Sequence, residues 1–437
     1  MTQRHRILVM AHAHPDFSLG GGEIAAYNLF KAYRGLPEVE DAWFLARADR
    51  GRGPTGAITM RRSNEYLWEQ AVHDWHAMKA VHQESLTTWF ADLVRELRPT
   101  VVHTHHYAHL GLEYLRVIKQ VDPSIRLVLT LHEYMAICRN NGQMIKTGSF
   151  KLCSRESFDE CHRCFPDKSA EDFWMRKHYF QSHFKLVDQF IAPSDFLRQR
   201  YIDWGLPADK IVTIENGQSD EPPLPPRPLA EGETRNRFGF FGQINPYKGL
   251  DVVMQALHDL PKAERKKIVL EVHGANLELQ PAEYREKVET LRKPLIDQGV
   301  VQWVGPYQPH ELRTRMATID WVVVPSIWWE NSPMVIQEAF VSGRPLVVSD
   351  IGGHGRESEE RRGRCARSRR QRVGLASDPG PTVQPVRDMG PTQVRLCAAS
   401  FLFQVRCGAL AAHRALRHVT CCSTRQRGVD HGDPADP

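Results

Sequence analysis

The chain runs through one pattern twice. Short apolar runs alternate with segments whose apolar residues recur at helical spacing, first from "RILVMAH" to "KIVTIENGQ", then from "FGFFGQI" to "PLVVSD". An apolar run with no polar alternation is a strand buried on both faces. Strands of that kind, joined through helices, build a parallel sheet covered on both sides. Between the two series lies "SDEPPLPPRPLAEGETRNR", Pro-rich, acidic and aperiodic, which is linker chemistry. At 437 residues the chain is long enough for roughly two to three domains. The expectation is an α/β protein of two tandem βα domains, residues 1–218 and 237–353, with a linker at 219–236 and a ligand cleft between them. Helices are expected at 249–257, 283–295 and 309–317. "SNEYLWEQAVHDWHAMKAVHQESLTTWFADLVRELRP" reads as one or two amphipathic helices ended by Pro99; its Trp and His residues suit acceptor contact and ordinary packing equally.

The net charge of +5 comes from the end of the sequence. Residues 354–437 hold 15 Arg, no Lys and 8 acidic residues, out of totals of 57 basic and 52 acidic. Residues 1–353 keep 42 basic against 44 acidic, which gives no electrostatic argument for nucleic acid. No apolar stretch approaches the roughly 20 residues of a membrane-spanning helix. "MTQRHRILVMAHAHPD" reads as a first strand and not a signal peptide, so a cytoplasmic location is expected.

After Ile351 the sequence contains no Ile, Lys, Asn, Tyr or Trp, yet it carries Cys365, Cys397, Cys407, Cys421 and Cys422, five of nine cysteines. Three readings of this Arg- and Cys-rich tail stay open: a disordered basic extension, a folded extra module, or translation in a shifted frame.

Chemistry concentrates in a few places. In "PSIWWENSPMVIQEAF", Ser332 is a helix N-cap and Pro333 a first helical residue. The amides from Ser332 to Val335 then suit a phosphate, and Glu338, two turns in, suits a ribose diol. Glu330 would reach the far side of the same ligand, although two solvated glutamates would look alike in sequence. In "FGQINPYKGLD", Lys248 at a helix start is placed to neutralise a diphosphate. In "HAHPDFSLGGGE", Gly20, Gly21 and Gly22 allow close backbone approach to a ligand. The loose dinucleotide fingerprint Gly20-x-Gly22-x-x-Ala25 does not fit, because the preceding loop is too long. His132 ends the strand "LVLT" and can donate to a sugar hydroxyl or phosphate. His103, His105 and His106 end another strand, where a metal cluster is the alternative to core histidines.

Taken together, "GGGE", "TLHEY", "FIAPSDFLRQRY", "ENGQ", "FFGQINPYKGLD", "WVGPY" and "VVVPSIWWENSPMVIQEAFVSGRPLVVSDIGG" resemble the retaining group-one glycosyltransferases, which have two Rossmann-like domains (the GT-B fold). The resemblance covers Arg6 to Gly353. It implies a nucleotide-sugar donor held mainly by the second domain and a saccharide or lipid-linked acceptor. It also implies a role in cell-surface polysaccharide or glycolipid synthesis, with peripheral association at the inner membrane surface. Glu338 would hold the ribose, Lys248 and Gln243 would face the diphosphate, and Asn331, Ser332, Met334 and Val335 would meet phosphate and hexose. Glu330 and His132 would be the catalytic pair over the sugar, and Gly21 and Gly22 would approach phosphate or acceptor. No metal is needed for transfer in that family. Two departures stand out. Gln243 replaces a frequent Arg, and after Gly353 the family's last strand and returning helices are replaced by the atypical tail. The second domain is therefore expected to be incomplete, and an inactive sugar-nucleotide-binding protein is the alternative.

Cys138, Cys153, Cys161 and Cys164 fall in one insertion, with "CHRC" a C-x2-C pair. A structural zinc, free thiols and disulfides all remain open there.

Overall fold

The most apolar run of the first half, His5–Ala11 (β1), has Leu8 to Ala11 fully buried. A strand with no solvent face must have neighbours on both sides, and β1 has them. It pairs in parallel with Val39–Ala48 (β2) and, through Val9↔His103, with a strand at Val101–Thr104. This computed structural model describes residues 4–18, 20–48, 56–81, 83–218, 221–349, 351 and 419–422. The chain divides into two compact units, Met1–Gly217 with Asn331–Met334, and Gln218–Glu330 with Val335–Pro437.

In the first unit the strands after β2 are Ile58–Arg62 (β3), Glu65–Glu69 (β4), Val72–Asp74 (β5), Lys79–Ala80 (β6), Val101–Thr104 (β7), Arg126–Thr130 (β8), Gln189–Ala192 (β9) and Ile211–Thr213 (β10). Eight of them form one sheet in the order β10-β9-β8-β7-β1-β2-β4-β3. All its pairings are parallel except β3 with β4. The helix Gly21–Tyr33 lays Ala26 and Phe30 on Val9 and Phe44 of the sheet.

The stretch from Glu65 corrects the helical expectation. Its first part is strand (β4 to β6), and helix begins only at Gln83. Tyr66, Leu67 and Trp68 extend the open edge of β2 in parallel register, and Trp68 stacks on Phe90 at 4.7 Å. Pairing to a free sheet edge outweighed a helix-like apolar spacing.

The second unit repeats the logic with Arg237–Gln243 (β11), Val269–Ala275 (β12), Val301–Trp303 (β13), Trp321–Val324 (β14) and Leu346–Ser349 (β15). The sheet order is β13-β12-β11-β14-β15, all parallel. Helices Leu250–Asp259 and Ala282–Asp297 cover one face with Val253, Leu257 and Val288; Met334–Val341 covers the other with Ile336 and Ala339. A last strand, Val419–Cys422 (β16), pairs antiparallel on β15, so the edge expected to stand open carries a segment of the tail. The other readings of 354–437 lie outside the described residues.

The Pro-rich stretch is anchored to the second unit. Buried Asp320 accepts from Arg227 and Arg235 at 3.0 and 2.9 Å and from the amide of Arg237. Arg344 also donates to the carbonyl of Pro225. Two guanidiniums and an amide satisfy a carboxylate that would be costly to bury alone.

Candidate functional site

In a parallel sheet the natural site lies beyond the carboxyl ends of the strands, where strand order reverses. In the first unit that point is the end of β1, between β2 and β7. His12 follows β1, His105 and His106 follow β7, and His132 follows β8. Their rings make a packed group. His12 lies 4.4 Å from His106, His103 4.6 Å from His105, and His105 5.3 Å from His132. His103 is anchored by Thr130 Oγ1 at 2.7 Å and Tyr33 OH at 3.0 Å. Nδ1 of His106 accepts the amides of Tyr107 and Ala108, so that ring carries its proton on Nε2. His105 Nδ1 and His132 Nε2 are 3.1 Å apart.

Burial drives the electrostatics here. It holds His103 down to about 4 and His132 to about 3, and it lowers His12, His105 and His106; neighbouring rings add repulsion at His132, His105 and His106, whereas at His12 the Glu23 carboxylate opposes the shift and Arg47 adds to it. The group is therefore neutral at pH 7. Burial pushes the adjacent Glu133 carboxyl up to about 8, although the Met135 amide and Tyr107 partly stabilise its anion. Glu23, in the first turn of Gly21–Tyr33, accepts from Ser18 Oγ at 2.6 Å and lies 3.4 Å from His12 Nε2. Gly21 and Gly22 open that helix, and a Cβ at Gly22 would sit 3.6 Å from both His12 and His132. Asn331, within this unit, donates to the carbonyl of His132 and accepts from Ser194 Oγ, each at 3.0 Å.

In the second unit the reversal is at β11, between β12 and β14. The loop after β11 is shaped by Asn245, whose Oδ1 accepts the amides of Tyr247 and Lys248. Gly249 then turns left-handed at φ 69°, so close to the loop after β14 that a Cβ would meet the Pro325 carbonyl oxygen at 2.1 Å. The amide of Ile327 donates to the Tyr247 carbonyl. These two loops bring Lys248 Nζ within 2.5 Å of Glu330 Oε1, which also accepts Ser326 Oγ at 2.7 Å. Glu330 and Ser326 are buried, whereas Lys248 is half-buried over the Trp328 ring.

Glu338 sits in the helix Met334–Val341, and burial raises its carboxyl to about 7. That helix starts at Met334, two residues past the expected cap Ser332; Ser332 is buried, and Val335 is half-buried in the first turn. Gln243 ends β11 exposed. Cys138, Cys153, Cys161 and Cys164 form no disulfide, and burial pushes Cys138 up to about 11 and Cys161 to about 12. Among the described residues no group of three or more His, Cys, Asp or Glu is placed to hold a metal ion. No helix among them is long and apolar enough to cross a membrane. The sequence reading missed His12, Glu23, Glu133 and Ser326. In the first unit the strand register sets His12 beside His106, and in the second the loop after β14 sets Ser326 against Glu330.

Residues 19–221 match the family described as glycosyltransferase family 4, and residues 226–362 match glycosyl transferases group 1. The lipopolysaccharide 1,2-N-acetylglucosaminetransferase of Salmonella typhimurium is 29% identical over 174 residues, 38% of this chain. The chain spans only 45% of that relative's length. Among solved structures, a sucrose-phosphate synthase from Thermosynechococcus elongatus superposes with a TM-score of 0.55 at 14% identity, covering 81% of this chain and 83% of that one. A UDP-forming α,α-trehalose-phosphate synthase from Burkholderia xenovorans, in complex with glucose-6-phosphate, gives 0.53 at 11% identity, covering 92% and 96%. These two likenesses establish the fold, two Rossmann-like halves of the GT-B type. With both halves matched in order by glycosyltransferase families, the chain belongs to the group 1 glycosyltransferases.

Proposed function

We propose that this chain moves a hexose from a nucleoside-diphosphate sugar to a saccharide or lipid-linked acceptor with retention of configuration. The pathway would be cell-surface polysaccharide or glycolipid synthesis, run from the cytoplasm at the inner membrane surface. The observation that carries the reading is the Lys248–Glu330–Ser326 group at the strand-order reversal of the second sheet. An ammonium has three donors, and Glu330 holds one of them. The others can meet the diphosphate, where charge grows as the anomeric C–O bond breaks. With neutral Gln243 at the end of β11, Lys248 carries more of that charge.

In this reading Glu338 accepts from the ribose diol, and Glu330 turns its carboxylate to the hexose hydroxyls. Asn331, Ser332, Met334 and Val335 line phosphate and hexose, Gly21 and Gly22 admit phosphate or acceptor, and His132 donates to the reacting sugar. A short-lived ion pair of sugar cation and leaving diphosphate keeps the attack on the same face, and the acceptor proton passes to the departing phosphate oxygen. The names of the Salmonella relative and the Burkholderia neighbour support a nucleotide-sugar donor and a saccharide acceptor. Transfer needs no cofactor. A structural zinc on Cys138, Cys153, Cys161 and Cys164 is a separate proposal, which metal analysis decides at one equivalent against under half.

The test is incubation of the full chain with UDP-, GDP- and ADP-hexoses, with and without oligosaccharide acceptors. Nucleoside diphosphate release and an α-linked product from an α-donor are expected. Binding without turnover would favour the non-catalytic alternative, and absence of both would overturn the reading.

A further inference from the structure

His132 can serve as a donor to a sugar only if one particular nitrogen carries its proton. A neutral imidazole has one N–H and one lone pair, and the partner of one nitrogen decides which is which. His132 Nε2 faces His105 Nδ1 at 3.1 Å. One of the two must donate and the other accept.

The surroundings of His105 break the tie. Its ring is buried, stacked between His103 and His132. Its backbone is fixed by the amide's bond to the Met10 carbonyl, which holds it at the end of β7. Among the described residues its Nε2 meets no partner. Were the proton on Nε2, His105 would bury an N–H with no acceptor. With the proton on Nδ1, only a lone pair is left unmatched. Orphaned buried N–H groups are the rarer and costlier defect. His103 cannot supply the missing acceptor, because both its nitrogens are occupied by Thr130 and Tyr33.

We propose that His105 is a positioning residue that donates from Nδ1 to His132 Nε2, locking His132 as the Nδ1–H tautomer with that N–H directed away from the pair. The carbonyl of His132 is held at the same time by Asn331 Nδ2, so ring and backbone are both fixed. The catalytic use of that N–H rests on the glycosyltransferase reading above; the tautomer itself does not. His105 differs from its neighbour His106, whose Nδ1 accepts two amides and whose proton is therefore on Nε2.

The experiment is two-bond 1H–15N NMR on the full chain labelled with 15N-histidine, with His132 assigned by comparison with His132→Gln. At pH 7.5 His132 should show a protonated Nδ1 and a bare Nε2. In His105→Leu this pattern should give way to exchange between tautomers. In His105→Asn, whose amide places a donor where Nδ1 was, the pattern should persist. If His132 carries its proton on Nε2 in the wild type, or keeps the Nδ1–H pattern in a folded His105→Leu, the proposal is overturned. Transfer assays run alongside should show kcat reduced roughly tenfold in His105→Leu, the value of about one hydrogen bond, with KM for the donor little changed and His105→Asn largely restored. If the tautomer is as proposed but no variant and no wild type turns over a sugar nucleotide, the functional reading fails while the positioning role stands.

Discussion

Lys248 Nζ and Glu330 Oε1 meet at 2.5 Å although 82 residues separate them, and Ser326 Oγ joins the same oxygen at 2.7 Å. The contact closes the two loops that follow β11 and β14, the central pair of the second sheet. Cutting Ser326 to Ala removes one donor from a buried carboxylate. A loss of about 1–2 kcal/mol in unfolding free energy is expected, with donor KM raised severalfold. Equilibrium unfolding in urea with parallel kinetics checks both, and no change in either would mean that the hydroxyl does not hold Glu330.

Gly249 makes the closure possible. At φ 69° and 2.1 Å from the Pro325 carbonyl oxygen, a Cβ has no space, and the obstruction is backbone. Gly249→Ala should destabilise the protein by about 2–4 kcal/mol. A thermal melt within a degree or two of wild type would show that the loops can separate at little cost.

Glu338 gives donor binding a pH dependence. Burial raises its carboxyl to about 7 in the folded chain. A folded value above the unfolded one means that the folded state holds the extra proton. The stability from this group is present at acid pH and is lost as pH rises through about 7. The ribose diol needs the ionised carboxylate, so nucleotide affinity should increase from pH 6 to pH 8 with release of a proton. Calorimetric titrations at several pH values read this, and Glu338→Gln should flatten the trend and weaken binding at pH 8. A wild-type affinity independent of pH would exclude the diol role.

The histidine group sets the opposite trend in the first unit. Folded values of about 4 for His103 and about 3 for His132, with His12, His105 and His106 also lowered, mean that the unfolded chain binds more protons in acid. Stability from these rings is complete above the unfolded value near 6.5 and is lost as pH falls below it. Glu133, raised to about 8, works the other way, but it is one group against five. Melts of the full chain between pH 7 and 4.5 should fall steeply, and His103→Gln should make the fall shallower. A flat profile over that range would show that the rings are not buried in neutral form.

Much of this was legible in the residues, for reasons that differ by element. The apolar runs "ILVM", "LVLT" and "WVVV" lacked any polar face, and only a doubly covered sheet accommodates that. The places of Lys248 and Glu330 in loops after strands, and of Glu338 in the following helix, were legible from the alternation of apolar runs and helical spacing. The segment after Glu65 was not, because its apolar residues also recur at helical spacing; the edge of β2 drew Tyr66 and Trp68 into the sheet, and Val72 pairs with Ala80 in a separate hairpin. The histidine group was only partly visible. His103, His105 and His106 adjoin one another in sequence, but His12 and His132 arrive from other strands, through the parallel register that aligns Met10 with Thr104 and Thr104 with Leu129. Ser332 has the composition of a cap, yet the helix begins at Met334, within the one or two residues by which such boundaries vary.

The central claim is that the second unit seats a sugar nucleotide on Lys248 and Glu338, and calorimetric titration of nucleoside diphosphates into wild type, Lys248→Ala and Glu338→Ala tests it most directly. Removing the ammonium should cost about tenfold to a hundredfold in Kd for a diphosphate while sparing the affinity for the bare nucleoside, and removing the carboxylate should weaken both. Folded variants that bind each ligand as tightly as wild type would contradict it.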